Sequence, residues 1–332
     1  MVCPEWKRQE RMKLAQRTKA VWRLRTRTLE LGARTLVMGV VNITPDSFSD
    51  GGRFLTPGAA IAHGLTLLDE GANVLDLGAE STRPGARVGS QVSSQAGGDE
   101  PAVSAGEEQA RLMPALEGIL SARPDAIISV DTYKASTARA ALEAGAEIVN
   151  DVSGFTWDAG LADVCAEFGA GVVIMHTRGR PEEWSKQPQI AGDALVAMVR
   201  DGLAESMKTA ARAGVALESV VLDAGYGFGK RLEENYTLLA RQAELLALGR
   251  PLLAGLSRKS FLAHTLAGIQ EASAVSREKV SMPSENVSLD ARENASLAAM
   301  TAAILNGASI VRVHTVRAAV EAARIADAIL YG

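Results

Sequence analysis

Eight times along the chain a short apolar run stops at a polar residue, and a helical pattern follows. The first run is LVMGVVN, ending at Asn42, and the next end around Asp76, at Asp131, and at Asn150 and Asp151. The last four end at His176, Asp223, Ser257 and His314. Each is short and branched enough for one buried strand. Helical patterns fall between them at Pro57–Glu70, Lys134–Ala144, Gly192–Ala213, Glu234–Leu248 and Ala295–Leu305, with a closing helix at Val316–Leu330. Eight strand and helix units with right-handed crossovers predict an α/β chain closed as a (β/α)8 TIM barrel of about 250 residues. An open doubly wound sheet is the alternative, but it more often carries G-x-G-x-x-G after its first strand, and this chain does not. Ahead of the first run, Trp22, Leu24, Leu29 and Leu31 alternate with Arg and Thr, which predicts a short N-terminal hairpin.

The rhythm is stretched in two places. Gly89–Pro101 (GSQVSSQAGGDEP) is polar and flexible in composition, and Gln270–Asp290 is charged and Ser-rich. Both read as loop insertions in the barrel. The organisation expected is therefore a basic arm over residues 1–20 and one barrel domain over 21–332.

Composition changes this picture little. The 332 residues are 47% hydrophobic and only 4% aromatic, which suits a parallel sheet under Ala- and Leu-rich helices. The net charge of −4 hides a basic stretch of +7 in residues 1–34 and an acidic remainder of −11. The basic stretch has little aromatic interleaving and the body is acidic, so no nucleic-acid partner is expected. No apolar run is long enough to cross a bilayer, so no membrane partner is expected either. The two cysteines, Cys3 and Cys165, form no metal-like or disulfide spacing, which fits a reducing, cytoplasmic setting.

The strand exits carry the candidate chemistry. Asn42, Asp76, Asp131, Asn150, Asp151, His176, Asp223, Ser257 and His314 are all expected at the C-terminal rim, where barrel enzymes hold their active sites. An Asp at a strand exit is often only a cap or an Asx turn, but nine polar residues on one rim exceed what capping requires. By residue type, Asp131, Asn150 and Asp223 suit the donor-rich edge of a heterocycle. Asn42, Thr82, Arg83, Arg312 and His314 suit an anion with a divalent metal nearby. The stretch Gly225-Tyr-Gly-Phe-Gly-Lys230 looks like a phosphate loop, but its spacing is wrong for one.

The ordered motifs MGVVNITPDSFSDGG (38–52), DLGAESTRPGA (76–86), SVDTYK (129–134), VNDVSG (149–154), VIMHTRG (173–179), LDAGYGFGK (222–230), LAGLSRKSF (253–261) and VRVHTV (311–316) together resemble the dihydropteroate synthase family. The resemblance runs from about Arg34 to the end of the chain. It implies condensation of 4-aminobenzoate with 6-hydroxymethyl-7,8-dihydropterin diphosphate, with Mg²⁺ as cofactor and a homodimer as the assembly. It implies pterin contacts from Asp131, Asn150, Asp223 and Lys259, with Met175 in the pocket wall. Arg83, Arg312 and His314 would hold the diphosphate and Asn42 the metal. Asp46, Phe48 and Asp50 would lie on a closing loop, and Thr82, Pro84, Phe228 and Ser260 in the aminobenzoate sub-site. Asp131, Lys259, Arg312 and His314 are the residues expected to carry the chemistry. A pterin-binding methyltransferase acting with a corrinoid partner is the alternative that shares the pterin carboxylates. Ala79, Ala224 and Thr315 depart from the usual family pattern, at positions implied to bind nothing.

Overall fold

The computed structural model describes residues 17–44, 56–81, 103–273 and 287–332. The expected arm up to residue 16, the loop residues Asp46, Phe48 and Asp50, the triplet Thr82, Arg83 and Pro84, and most of both insertions lie outside them. A two-stranded antiparallel hairpin, β1 (Ala20–Arg23) and β2 (Thr28–Leu31), precedes the barrel. The barrel strands are β3 (Leu36–Asn42), β4 (Val74–Gly78), β5 (Ile128–Asp131), β6 (Ile148–Asp151), β7 (Gly171–Met175), β8 (Val220–Asp223), β9 (Leu252–Ala254) and β10 (Ala308–Val313). They close in sequence order, with β10 pairing β3, into an eight-stranded parallel TIM barrel. The helices between them are α1 (Pro57–Asp69), α2 (Ala105–Ala122), α3 (Ala135–Glu143), α4 (Leu161–Phe168), α5 (Gly192–Ala213), α6 (Leu232–Ala240), α7 (Ser260–Ser273), α8 (Leu289–Leu305) and α9 (Val316–Tyr331).

Strand parity divides the interior into layers, because alternate residues face opposite sides of a strand. Leu75, Leu77, Ile128, Val130, Val149, Val172, Ile174, Leu222, Leu252 and Val311 pack outward with the helices. Leu36, Met38, Val74, Ile148, Val173, Val221, Leu253 and Ile310 gather inside as a separate apolar cluster. Two residues further along the same inward faces stand Asp76, Asn150, Met175, Asp223 and Arg312. On β4, β6, β8 and β10 one face thus supplies both the dry floor and the polar mouth.

The hairpin seals the floor. Trp22, Leu24 and Leu31 join the inner cluster, each almost fully buried. The Trp22 indole donates to the Ser219 carbonyl at 2.8 Å, which satisfies its polar atom in an apolar setting. Arg17 is already docked: it donates to Thr35 Oγ1 at 2.7 Å and to the Ala308 carbonyl at 3.2 Å, and it pairs with Asp327 on α9.

Two helical expectations need correction. Glu234–Leu248 is not one helix: α6 ends at Ala240 and a 3₁₀ segment runs over Gln242–Leu248. Gln242 is buried, accepting from the Tyr226 hydroxyl at 2.8 Å and donating to the Ala303 carbonyl at 3.0 Å. Those tertiary bonds pull position 242 inward and override the local helical pattern. The helix expected at Ala295 begins earlier, at Leu289, because Ser288 caps it by accepting from Ala291 N–H at 3.2 Å. No helix among the described residues is long and apolar enough to cross a membrane.

Trp22→Ala opens a cavity in the floor and orphans the Ser219 carbonyl. The expected loss is about 3–5 kcal/mol of stability, read by urea denaturation. A loss under about 1 kcal/mol would show that the hairpin is not part of the barrel core.

Candidate active site

An ion cluster spans the mouth of the barrel. Arg312 on β10 donates from Nε to Asp76 Oδ2 at 2.6 Å and from Nη2 to Asp131 Oδ2 at 2.8 Å. Asn150 on β6 donates from Nδ2 to the same Asp76 oxygen at 3.0 Å. Strands β4, β5, β6 and β10 therefore meet in one hydrogen-bonded chain. Asp76 is completely buried, and its second oxygen has no partner among the described residues. Burial pushes the Asp131 carboxyl up to about 7, against the pull of Arg312 beside it.

Asp223 ends β8 and faces the same mouth. Its Oδ1 accepts from Gly225 N–H at 2.7 Å, and burial raises its pKa. Lys259, in the loop after β9, is lowered by burial to about 8, while Asp223 and Asp131 oppose the shift. Its ammonium lies 4.0 Å from the centre of the Phe228 ring, a cation–π contact. Phe228 meets the Trp184 ring edge-on at 5.1 Å. Met175 packs with Tyr133 and Val152, with Trp157 and Phe228 against them, and so forms an apolar wall beside the charged layer.

The rim continues through Ser257 and His314. The Ser257 hydroxyl lies 2.9 Å from His314 Nδ1, and the His314 backbone N–H donates to the same hydroxyl at 3.3 Å. The ring is thereby oriented from one side. Arg258 adopts a left-handed backbone, φ 57°, and pairs with Glu293 on α8. Its N–H also donates to Ser296 Oγ at 2.9 Å. Two contacts to α8 thus hold a sparsely populated conformation between Ser257 and Lys259. Ser260 opens α7 and is exposed at the mouth. Asn42 is half-buried at the end of β3.

Parity separates the nine polar exits. Asp151 and His176 stand at the C-terminal rim as expected, but each follows an inward-facing residue and turns away from the mouth. Asp151 accepts from Ser153 N–H at 2.8 Å and Phe155 N–H at 2.5 Å, and so caps its own loop. His176 is buried against α5, its Nδ1 without a partner among the described residues, and burial lowers its pKa. Asp131, Asn150, Met175, Asp223, Phe228, Lys259, Arg312 and His314 all line the mouth. Three residues went unassigned in the sequence. Asp76 had a strand-exit signal but no role. Tyr133 and Trp157, whose rings meet edge-on at 5.1 Å, carried no strand-exit signal.

The profile of the pterin-binding enzyme family matches residues 38–314, which span every barrel strand exit. The dihydropteroate synthase of Mycobacterium leprae is 41% identical over 89% of this chain and 93% of its own length. The chain belongs to the dihydropteroate synthase family. Among solved structures, the dihydropteroate synthase of Clostridium difficile, determined in the presence of pteroic acid, is 36% identical with a TM-score of 0.74. That match covers 92% of this chain and all of the other. The Xanthomonas albilineans dihydropteroate synthase with 4-aminobenzoic acid is 37% identical with a TM-score of 0.76, covering 95% of this chain and all of the other. Within the barrel, the described motif residues cluster where strand parity places them.

A carboxyl raised to about 7 in the fold binds more protons than in the unfolded chain across the interval from about pH 4 to 7. Asp131 therefore subtracts stability as pH rises through that window. Relative to the unmodified chain, the Tm of Asp131→Asn is expected to improve by about 2 °C or more between pH 5 and pH 8. A Tm difference that does not move with pH would contradict a carboxyl raised in the fold.

Proposed function

We propose that the mouth of the barrel seats 6-hydroxymethyl-7,8-dihydropterin diphosphate and joins it to 4-aminobenzoate, giving 7,8-dihydropteroate and pyrophosphate. The observation that carries this is the convergence of Asp131, Asn150 and Asp223 with Lys259 beside an apolar wall. Carboxylates only accept and an amide does both, so this set matches the amino and ring N–H groups of a pterin. Met175 supplies a flat apolar contact for the ring. Pteroic acid in one structural relative and 4-aminobenzoic acid in another support the same two-part ligand.

The reaction breaks the C–O bond to diphosphate, and the electron pair leaves with the diphosphate. The exocyclic carbon then carries positive charge that the dihydropterin ring delocalises, an SN1-like path. Asp131 and Asp223 stabilise that charge from beneath the ring. Arg312 engages two of its five N–H groups with Asp76 and Asp131, which leaves donors for the departing anion. His314, oriented through Nδ1 by Ser257, is the second cationic group assigned to the same anion. The amine of 4-aminobenzoate forms the new C–N bond and then releases a proton to diphosphate or solvent. An arylamine is already neutral near pH 7, so the step needs no strong base. Ser260 begins a helix whose free N–H groups suit the aminobenzoate carboxylate. Thr82, Arg83 and Pro84, and the loop residues Asp46, Phe48 and Asp50, are assigned by the resemblance alone.

Asn42 is the candidate for holding Mg²⁺. A single hard carboxamide oxygen suits this cation, which keeps several waters and takes further oxygens from phosphate. The described residues contain no cluster of three His, Cys, Asp or Glu that would favour a softer metal. When bound, Mg²⁺ would neutralise charge on the diphosphate oxygens. We further propose that the chain acts as a cytoplasmic homodimer, a reading supported by the family resemblance.

Pyrophosphate release should require 4-aminobenzoate. Release that is indifferent to 4-aminobenzoate would instead favour another pterin-handling reaction. Asp131→Asn should lower single-turnover rates about 10²-fold or more while changing diphosphate affinity little by calorimetry. Equal losses in both would remove Asp131 from the charge-stabilising role.

A further inference from the structure

The stretch that looks like a phosphate loop binds a cation instead, and the cation is its own lysine. Lys230 is almost fully buried. Its ammonium donates to the Gly225 carbonyl at 2.8 Å, the His176 carbonyl at 3.0 Å and the Phe228 carbonyl at 3.3 Å. An ammonium has three donors, and all three are used. Nests that bind anions present N–H groups, whereas this loop presents oxygens.

The backbone is built for this. Gly225, Gly227 and Gly229 all have left-handed φ values, 69°, 82° and 70°. That alternation curls the segment until the carbonyls of Gly225 and Phe228 reach one point. At Gly225 the fit is closest: an added Cβ would fall 1.9 Å from the His176 carbonyl oxygen. Asn235 on α6 holds the outer side. It accepts from Gly227 N–H at 2.7 Å and donates to the Lys230 carbonyl at 3.2 Å and the Arg231 carbonyl at 2.6 Å. The two aromatic residues then part. Tyr226 is buried against Gln242, and Phe228 faces Lys259 at the mouth.

We propose that Lys230 is a positioning residue for the second substrate: its ammonium ties the Phe228 loop to the exit of β7 and so holds the Phe228 ring against Lys259, on the side of the mouth that receives 4-aminobenzoate. This rests on the proposed condensation. Lys230 touches neither the pterin carboxylates nor Arg312, so it acts through the loop. Removing the ammonium takes the lysine donor from the His176 and Phe228 carbonyls and leaves the Gly225 carbonyl only the Phe228 N–H at 3.1 Å. The loop then relaxes at Phe228 and the Phe228 wall moves, while Asp131 and Asn150 keep their partners on other strands and Asp223 keeps its bond from Gly225 N–H beside the β8 exit. Burial lowers the Lys230 pKa to about 7, with Asp223 and Glu234 opposing. Such a group is costly to bury and is kept for what it holds together.

The test is steady-state kinetics on the full chain with Lys230→Met, which keeps length without donors, and Lys230→Arg, which keeps charge and donors. The unmodified chain is measured alongside for 4-aminobenzoate-dependent pyrophosphate release. Lys230→Met should raise the KM for 4-aminobenzoate about tenfold or more, with the KM for the pterin diphosphate and its calorimetric affinity within about twofold. Lys230→Arg should recover most of the loss. An unchanged KM for 4-aminobenzoate overturns the proposal. So does equal weakening of both substrates or loss of pterin binding, since either makes Lys230 a general stabiliser of the fold. If the unmodified chain releases no pyrophosphate with 4-aminobenzoate, the condensation itself fails, and this role falls with it.

Discussion

The interaction on which the site depends is the clasp of Arg312 by Asp76 and Asp131. It joins the last barrel strand to the second and third, with Asn150 of the fourth bonded into it. Taking these charges out of water is expensive, and mutual attraction repays that cost only where geometry and hydrogen bonding are good. Here Asp76 Oδ2 accepts two bonds, yet its other oxygen goes without a partner among the described residues, and Asp131 is held near neutral pH. The layer is not optimised for stability. An excess of acceptors over cations at the mouth is what a donor-rich ring that becomes cationic would require.

The rest of the barrel makes that layer affordable. Beneath it lies a dry floor of Leu36, Met38, Val74, Ile148, Val173, Val221, Leu253 and Ile310, capped from below by Trp22, Leu24 and Leu31. The floor and the charged layer sit on the same strand faces two residues apart, so the register that buries one aligns the other. Around the mouth the side chains that meet ligand are braced from behind. Arg258 is tied to α8, His314 to Ser257, and the Phe228 loop to Lys230 and Asn235. Precision in such a site comes from these supports as much as from the groups that touch substrate.

Much of this was legible in the sequence. Apolar runs ending in polar residues marked all eight barrel strands, and the alternating Trp22, Leu24, Leu29 and Leu31 marked the hairpin. Asp131, Asn150 and Asp223 could be placed at the rim because strand exits are local properties, and Arg312 lies on the last of those strands. That Asp151 and His176 turn away from the mouth was not legible, because a strand exit does not reveal which face a residue takes when two polar residues adjoin, or when Met precedes His. The split at Arg241 depends on Gln242 reaching Ala303, a contact 61 positions distant in sequence. Nor could composition show that the Gly-rich stretch turns its carbonyls, rather than its N–H groups, inward. That depends on where the Lys230 ammonium is buried.

The central claim is that these strand-exit acceptors form the seat of a pterin. Calorimetric titration of the pterin diphosphate into Asp223→Asn, beside the unmodified chain, tests it most directly. Asp223 shares no hydrogen bond with the Arg312 clasp, so its substitution leaves those bonds in place. The account predicts affinity weaker by about tenfold or more, as expected when a buried charge-assisted hydrogen bond is lost, with the melting transition retained. Affinity within twofold of the unmodified chain would contradict it.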